Sequence, residues 1–371
     1  MIAMPPSVRS GAIVALRLFD IAYAIDLAQA ERLWSARGDS SRSRLSHTPS
    51  KALAFDVPPV MLTMDAIELD LGGSRVAAGV TARLYEFGVV ALSLRIAADD
   101  CSWSEYSRRV ASVNQAVGPA ADAPVWSALL DTLISTLQAA LQRPTATRLQ
   151  EDYLLAIVRQ CSEPLTAAEL VERVDLAALL SDESRPLSEG ARRDLLRQSF
   201  SYYVDDLVVM SWDRAFVYEP RGDSDVIDVL EVANAQLLEM RYYDELLDDE
   251  LPRMYDWVED ARRVNDLRAP RRYADLARRL YGLVAEVTEL TEKVDNALQV
   301  TEDVYLARVY TAALELMRVP KLSAAVDRKL AIIRDTYTAL YDEASASRSQ
   351  LLEITIVLLI VLEIAMALIH R

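Results

Sequence analysis

The feature that most limits what this chain can fold into is a heptad repeat that begins after Pro220-Arg-Gly-Asp223. Val226, Leu230, Ala233, Leu237, Met240, Asp244, Leu247, Leu251, Met254 and Val258 step by alternating fours and threes, with Asp244 the one polar member. A second seam runs through Tyr273, Leu276, Leu280, Leu283, Val287, Leu290, Val294 and Ala297, and a third through Leu330, Ile333, Tyr337, Leu340, Ala344, Ser347, Leu351 and Ile354. A sustained 3.5-residue repeat keeps one apolar stripe turned toward a partner helix. Residues 221–350 are therefore expected to form long, coiled-coil-like helices. The second is expected to run on to Val319, where Pro320 stops it and turns the third back as a helical hairpin.

The first 220 residues read differently, as an α+β head in which short strand and helix patterns alternate. Ala12 to Leu18 has the look of a strand, Asp26 to Arg37 of a helix, and Gly38 to Pro49 of a loop. Ala66 to Leu71 and Arg75 to Leu84 flank Gly72-Gly73, a pair that supplies the positive φ a two-residue hairpin turn requires. Val90, Leu92, Leu94 and Ile96 alternate with Ala91, Ser93 and Arg95, the period of a half-buried strand. Two helices are expected over Trp103–Ala116 and Pro124–Leu141, then a strand over Tyr153–Arg159. Short helices broken at Pro186 follow, and a return to strand within Tyr202–Tyr218. The fold class is thus α+β: a mixed N-terminal head, a long helical hairpin and a C-terminal hydrophobic helix.

That last helix carries ITIVLLIVLEIAMALI at 354–369, with only Thr355 and Glu363 polar. Sixteen helical residues span about 24 Å, close to the ~30 Å hydrocarbon core of a bilayer. The segment 351–369 is accordingly expected to be a single-pass, C-terminal membrane anchor, with membrane lipid as a partner and the bulk of the chain in the cytoplasm. The N-terminus carries no run expected to act as an export signal. Glu353 and Glu363 fall about 60° apart on the outer face of the third seam, and an acid within a membrane segment is expected to turn toward another copy of the chain. The competing expectation keeps the helix in a bundle, where residue 363 comes level with Arg278 and an ion pair satisfies the acid.

Composition narrows the function classes. The formal charge is −16, with 56 acidic against 40 basic residues, so nucleic acid is not an expected partner of the whole chain. Locally the sign reverses: Arg262, Arg263, Arg268, Arg271, Arg272, Arg278 and Arg279 form a basic run suited to lipid headgroups or a protein partner. Cys101 and Cys161 are single cysteines and His47 and His370 the only histidines, which leaves no Cys/His metal cluster and no nucleophile–base pair close in sequence. Acids gather at 205–206, 213–228 and 248–250, but their spacing fits no calcium loop. No catalytic, cofactor-binding or metal-ligating residue is expected. The membrane or interaction residues are Glu353, Glu363, Arg271, Arg272, Arg278 and Arg279.

Four stretches carry a family resemblance: RLYEFGVVALSLRI at 83–96, DDLVVMSWDRAFVYEP at 205–220, VIDVLEVANAQLLEMRYYDELLD at 226–248 and SQLLEITIVLLIVLEIAMAL at 349–368. Together they resemble the domain-of-unknown-function family of the "required for meiotic nuclear division" and bacterial YagE-like proteins. The resemblance implies an α+β domain, long helices and one C-terminal membrane segment, with self-association in the organellar members and no catalytic residue. The expected function is a membrane-anchored, homo-oligomeric scaffold or assembly factor with an unknown protein partner. The alternative is an enzyme, or a nucleotide- or nucleic-acid-binding protein, that uses the head.

Overall fold

The computed structural model describes residues 5–35, 40–42, 57–119, 121–145, 149–181, 183, 185–222, 225–263, 269–297 and 304–369. In chain order the elements are β1 (Ser7–Asp20), β2 (Ala22–Ile25), α1 (Leu27–Trp34), β3 (Ser40–Arg42), β4 (Val60–Asp70), β5 (Arg75–Leu84), β6 (Val89–Ala97) and β7 (Cys101–Ser102). There follow α2 (Trp103–Val117), α3 (Pro124–Leu137), β8 (Leu141–Pro144), β9 (Gln150–Cys161), α4 (Ala167–Arg173), α5 (Leu176–Ser181), α6 (Glu189–Leu195), β10 (Ser199–Phe200), β11 (Leu207–Met210) and β12 (Arg214–Tyr218). Four helices close the chain: α7 (Val226–Arg263), α8 (Ala269–Ala297), α9 (Val304–Leu316) and α10 (Val319–Ile369). The fold class is α+β, as the sequence implies.

One sheet organises the head, in the order β10-β11-β12-β9-β1-β6-β5-β4-β3, with β7 paired to the start of β1. All pairings are antiparallel except β12 on β9, which the crossover through α4–α6 makes parallel. The Gly72-Gly73 turn forms as its residues require, with φ of +70° and +100°, and sets the β4–β5 register from Asp70↔Arg75. Gly88, at φ +98°, turns β5 into β6 where a Cβ would drive into the Ala22 carbonyl. In the span expected as a loop, Ser40–Arg42 instead adds a short strand to the β4 edge, and the neighbouring residues up to 56 lie outside the described set.

Strand alternation sends two sets of side chains to opposite faces. Ile13, Ala15, Leu92, Leu94, Val80 and Ala82 belong to a core that α2 and α3 complete with Trp103, Tyr106, Val110, Trp126, Leu130 and Leu133. The other face, Val14, Leu16, Leu18, Leu155, Ile157 and Val217, is buried as well. Arg83 and Tyr85 of that face bond Asp228 and Glu231, which ties the first turns of α7 to it.

By contact density the chain divides into two compact units, Met1–Glu239 with Lys293–Pro320, and Met240–Glu292 with Lys321–Arg371. In the second unit nine members of the seams read from sequence are buried, Met240, Leu247 and Met254 on α7, Leu276, Leu280 and Val287 on α8, and Leu330, Ile333 and Leu340 on α10, while Leu251, Val258, Tyr273, Leu283 and Tyr337 are half-buried. Asp244, the polar member of the first seam, accepts a 2.6 Å bond from Lys329 Nζ on α10. The expected run of helix to Val319 is not what forms: α9 ends at Leu316, Arg318 takes φ +60°, and α10 begins at Val319 with Pro320 in its first turn. Proline is tolerated there, since that amide has no helical partner to lose.

Candidate functional site

Two places carry chemistry or unsatisfied surface. The first lies in the head, where strand β5 meets α7. Arg83 Nη1 donates to Asp228 Oδ1 at 2.7 Å and sits 3.4 Å from Glu231 Oε1, and Tyr85 Oη donates to the same Glu231 oxygen at 2.7 Å. Alternation puts Arg83 and Tyr85 on one face, and the i, i+3 spacing of Asp228 and Glu231 puts both carboxylates on the helix side that meets them. Burial opposes the charge of Arg83, but Glu231 and Asp228 outweigh it and hold the guanidinium well above its ordinary pKa. Burial also raises Glu231 and Tyr85, Glu231 against the opposing pull of Arg83. These bonds make the arrangement an ion-pair clasp between sheet and helix.

Beside the clasp the sheet face opens into a cleft of about 380 Å³ between β4, β5, β6 and β1 and the first turn of α7. Its walls are mostly apolar, with the bonded Thr81 and Ser93 hydroxyls on its floor and Arg95 at one side. Sequence reasoning gave Arg83 and Glu231 no individual role, and took Tyr85 only as part of the motif carrying the family resemblance. The available signal was positional, since Tyr85 lies inside the RLYEFGVV stretch.

Several of the acidic groups noted in the sequence have partners. Asp206 accepts from the backbone N–H of Tyr202 and Tyr203, Asp213 pairs with Arg214 at 2.9 Å, and Asp248 pairs with Lys329 at 2.7 Å. Asp223, His47 and His370 lie outside the described residues. Cys101 and Cys161 are free thiols on the two strands that flank Val8 of β1, and burial raises both pKa values, Cys161 to about 11.

The second place is α10. Every described side chain after Leu340 is exposed, and Ile356, Val357, Leu358, Leu359, Ile360, Val361, Leu362, Ile364 and Met366 are each 50–64% accessible. Glu353 and Glu363 are exposed with them. Among the described residues no helix is long and apolar enough to cross a membrane. This overturns the expected C-terminal anchor, and with it the membrane, tail-anchor and lipid-partner readings and the localisation built on them. The apolar side chains described there are interrupted by Glu363, and an acid near the middle of a membrane segment costs about 3 kcal/mol. Side chains at 351, 352, 354, 365 and 367–371 lie outside the described residues.

Of the basic run, the side chains of Arg278 and Arg279 are among the described residues. Arg278 bonds Asp275 at 2.7 Å rather than Glu363, and Arg279 lies 5.8 Å from the Trp257 ring. Arg271 and Arg272 fall in α8, with side chains outside the described residues.

Fold and site together define a class: an α+β head with a mixed sheet, clasped to a long helix, that continues into a helical unit with an unburied apolar end. Residues 10–225 match the family model described as "Uncharacterized protein MJ0711, N-terminal domain", and the chain belongs to that family. A curated relative, the uncharacterized protein MJ0711 of Methanocaldococcus jannaschii, is 24% identical over 241 residues, covering 65% of this chain and 73% of that one. These matches correct the resemblance drawn from the sequence, as they contain no link to the "required for meiotic nuclear division" or YagE-like proteins. No solved structure matches.

Proposed function

We propose that the protein is a self-associating scaffold or assembly factor, held together by second copies through the C-terminal part of α10, with the α+β head as the part that meets an unknown protein partner. One observation carries this reading: nine large apolar side chains in eleven residues of a helix are at least half exposed. Contiguous apolar surface of that kind marks an interaction site in most folded proteins. Half-burying each contributes about 1 kcal/mol, so the nine together reach about 9 kcal/mol per copy, comparable to the ordering cost of association. Because the apolar residues run round the whole helix, a single partner helix leaves one side wet. A bundle of three or more covers it. A second copy is the favoured occupant, since it brings the same surface in the same register and needs no other chemistry.

Sedimentation-velocity and light-scattering measurements of the full chain across a concentration series test this. Oligomers larger than a dimer are expected, reduced to monomers when Leu358, Val361 and Leu362 are all replaced by Gln. A wild-type chain that is monomeric at tens of micromolar, or one that is monomeric and adsorbs to phosphatidylcholine vesicles instead, rejects the reading.

A further inference from the structure

We propose that the cleft beside the Arg83 clasp is a binding site for a small organic anion with an apolar body, of the chemistry of a medium-chain carboxylate. Three independent observations converge there. The first is a missing side chain. Gly79 sits mid-strand on β5, opposite Arg95 on β6, and a Cβ placed on it would meet nothing closer than the Arg95 carbonyl oxygen at 3.9 Å. Its φ is not in the left-handed region, so the backbone does not demand glycine. Glycine inside a strand weakens the strand and commonly marks where something other than a side chain approaches the sheet.

The second observation is charge without a partner. Arg95 lines the cleft and makes no ion pair among the described residues, and burial together with the nearby Arg159 pushes its pKa down. An anion at Arg95 relieves that repulsion, whereas a cation adds to it. Asp99 is the one acid that opposes the effect. Deeper in, Arg83 is 9% exposed and its Nε has no acceptor among the described residues, although its other end is held by Asp228 and Glu231.

The third is the lining. Val14, Leu16, Met61, Met64 and Ile227 offer an apolar wall, while Thr81 Oγ1 and Ser93 Oγ, 2.6 Å apart, share one hydrogen bond and leave the other hydroxyl proton to donate to an oxyanion. A polar head against Arg95 and the hydroxyls, with a short chain along the methionines, uses every wall. A volume of about 380 Å³ lies within the range of small-ligand pockets and suits a body of roughly ten heavy atoms. Asp228 and Glu231 at the α7 side are already engaged by Arg83, so they do not draw in a cation.

The test uses the full chain and octanoate, with octylammonium and octanol at equal concentration as controls, read by isothermal titration calorimetry and by ligand-observed NMR. Octanoate is expected to bind and the two controls to bind at least tenfold more weakly, the discrimination expected of a charge-assisted contact. Arg95→Gln should weaken octanoate about tenfold, and Gly79→Leu, which fills the cleft, should abolish binding. Because octanoate can also adhere to the exposed end of α10, the triple Gln variant of Leu358, Val361 and Leu362 is run in parallel and should bind octanoate unchanged. Circular dichroism checks that each variant is folded. If Gly79→Leu fails to fold, Arg95→Gln and Arg95→Glu, both at an exposed side chain, carry the test. Equal binding of octanoate and octylammonium, or octanoate binding unaffected by the Arg95 changes, overturns the proposal.

Discussion

At the scale of the residue, Asp20 in the head is a carboxyl that the fold does not want charged. Asp20 ends β1 with 4% of its surface accessible and an Oδ2 that has no hydrogen-bond partner among the described residues. Burial raises its pKa from 3.8 to about 7, against a smaller opposing bond from the Ala22 backbone. A carboxyl that holds its proton more tightly folded than unfolded stabilises the fold below the unfolded pKa of about 4, and that contribution is lost as pH rises through about 7. The head is therefore expected to lose up to about 4 kcal/mol between pH 4 and pH 8 on this account. Asp20→Asn should remove that slope and raise stability at pH 8. Urea unfolding followed by tryptophan fluorescence at pH 5 and pH 8 measures both; a slope that persists in Asp20→Asn assigns the pH dependence to another group. Nothing in the sequence marks Asp20, because its perturbation comes from what the sheet packs over it and not from its neighbours along the chain.

At the scale of the element, the polar interruption of the first heptad seam is resolved by one lysine. Lys329 of α10 donates to Asp244 and pairs with Asp248 on α7, with 17% of the lysine side chain accessible and 25% of Asp244. Desolvation disfavours the ammonium, but the two carboxylates prevail and raise its pKa. Removing one member strands the other at a helix contact, so Lys329→Met is expected to destabilise the helical unit by about 1–2 kcal/mol. Adding Asp244→Leu to it restores an uninterrupted apolar seam, and the double variant should recover the loss or exceed the wild type. Hydrogen exchange of the α7 and α10 amides measures this, and a double variant no better than the single one rejects it. Elements that rest on local chemistry were legible in advance: the Gly72-Gly73 hairpin, the alternation at Val90–Ile96, the helix that starts after Asp26 and the seams themselves. What was not legible rests on contacts far apart in sequence. Arg83 finds Asp228 across 145 residues, and β12 joins β9 in parallel only after three short helices. The helix stop was misplaced because Pro320 was read as an end, when proline equally suits a beginning.

At the scale of the whole molecule, the apolar end of α10 has to be weighed against the charge of the chain. A segment apolar on all sides has the same pattern whether lipid or other helices cover it, which is why composition pointed to a bilayer although no helix among the described residues is long and apolar enough to cross one. In the self-association reading, each added copy brings a formal charge of −16, so assembly concentrates like charge around an apolar contact. Glu353 and Glu363, both exposed in the associating stretch, sharpen the effect, as a shared register places them near their counterparts. Salt then acts with a definite sign. Screening shortens the reach of this repulsion from roughly 14 Å at 0.05 M to about 4 Å at 0.5 M and leaves the apolar contact intact or stronger. Sedimentation velocity should therefore find the concentration for half-assembly falling several-fold over that range, and falling less when Glu353 and Glu363 are both replaced by Gln. An assembly held by ion pairs between the basic run and acids of a second copy behaves the opposite way, dissociating as salt rises, and that outcome would move the interface from α10 to Arg278 and its neighbours.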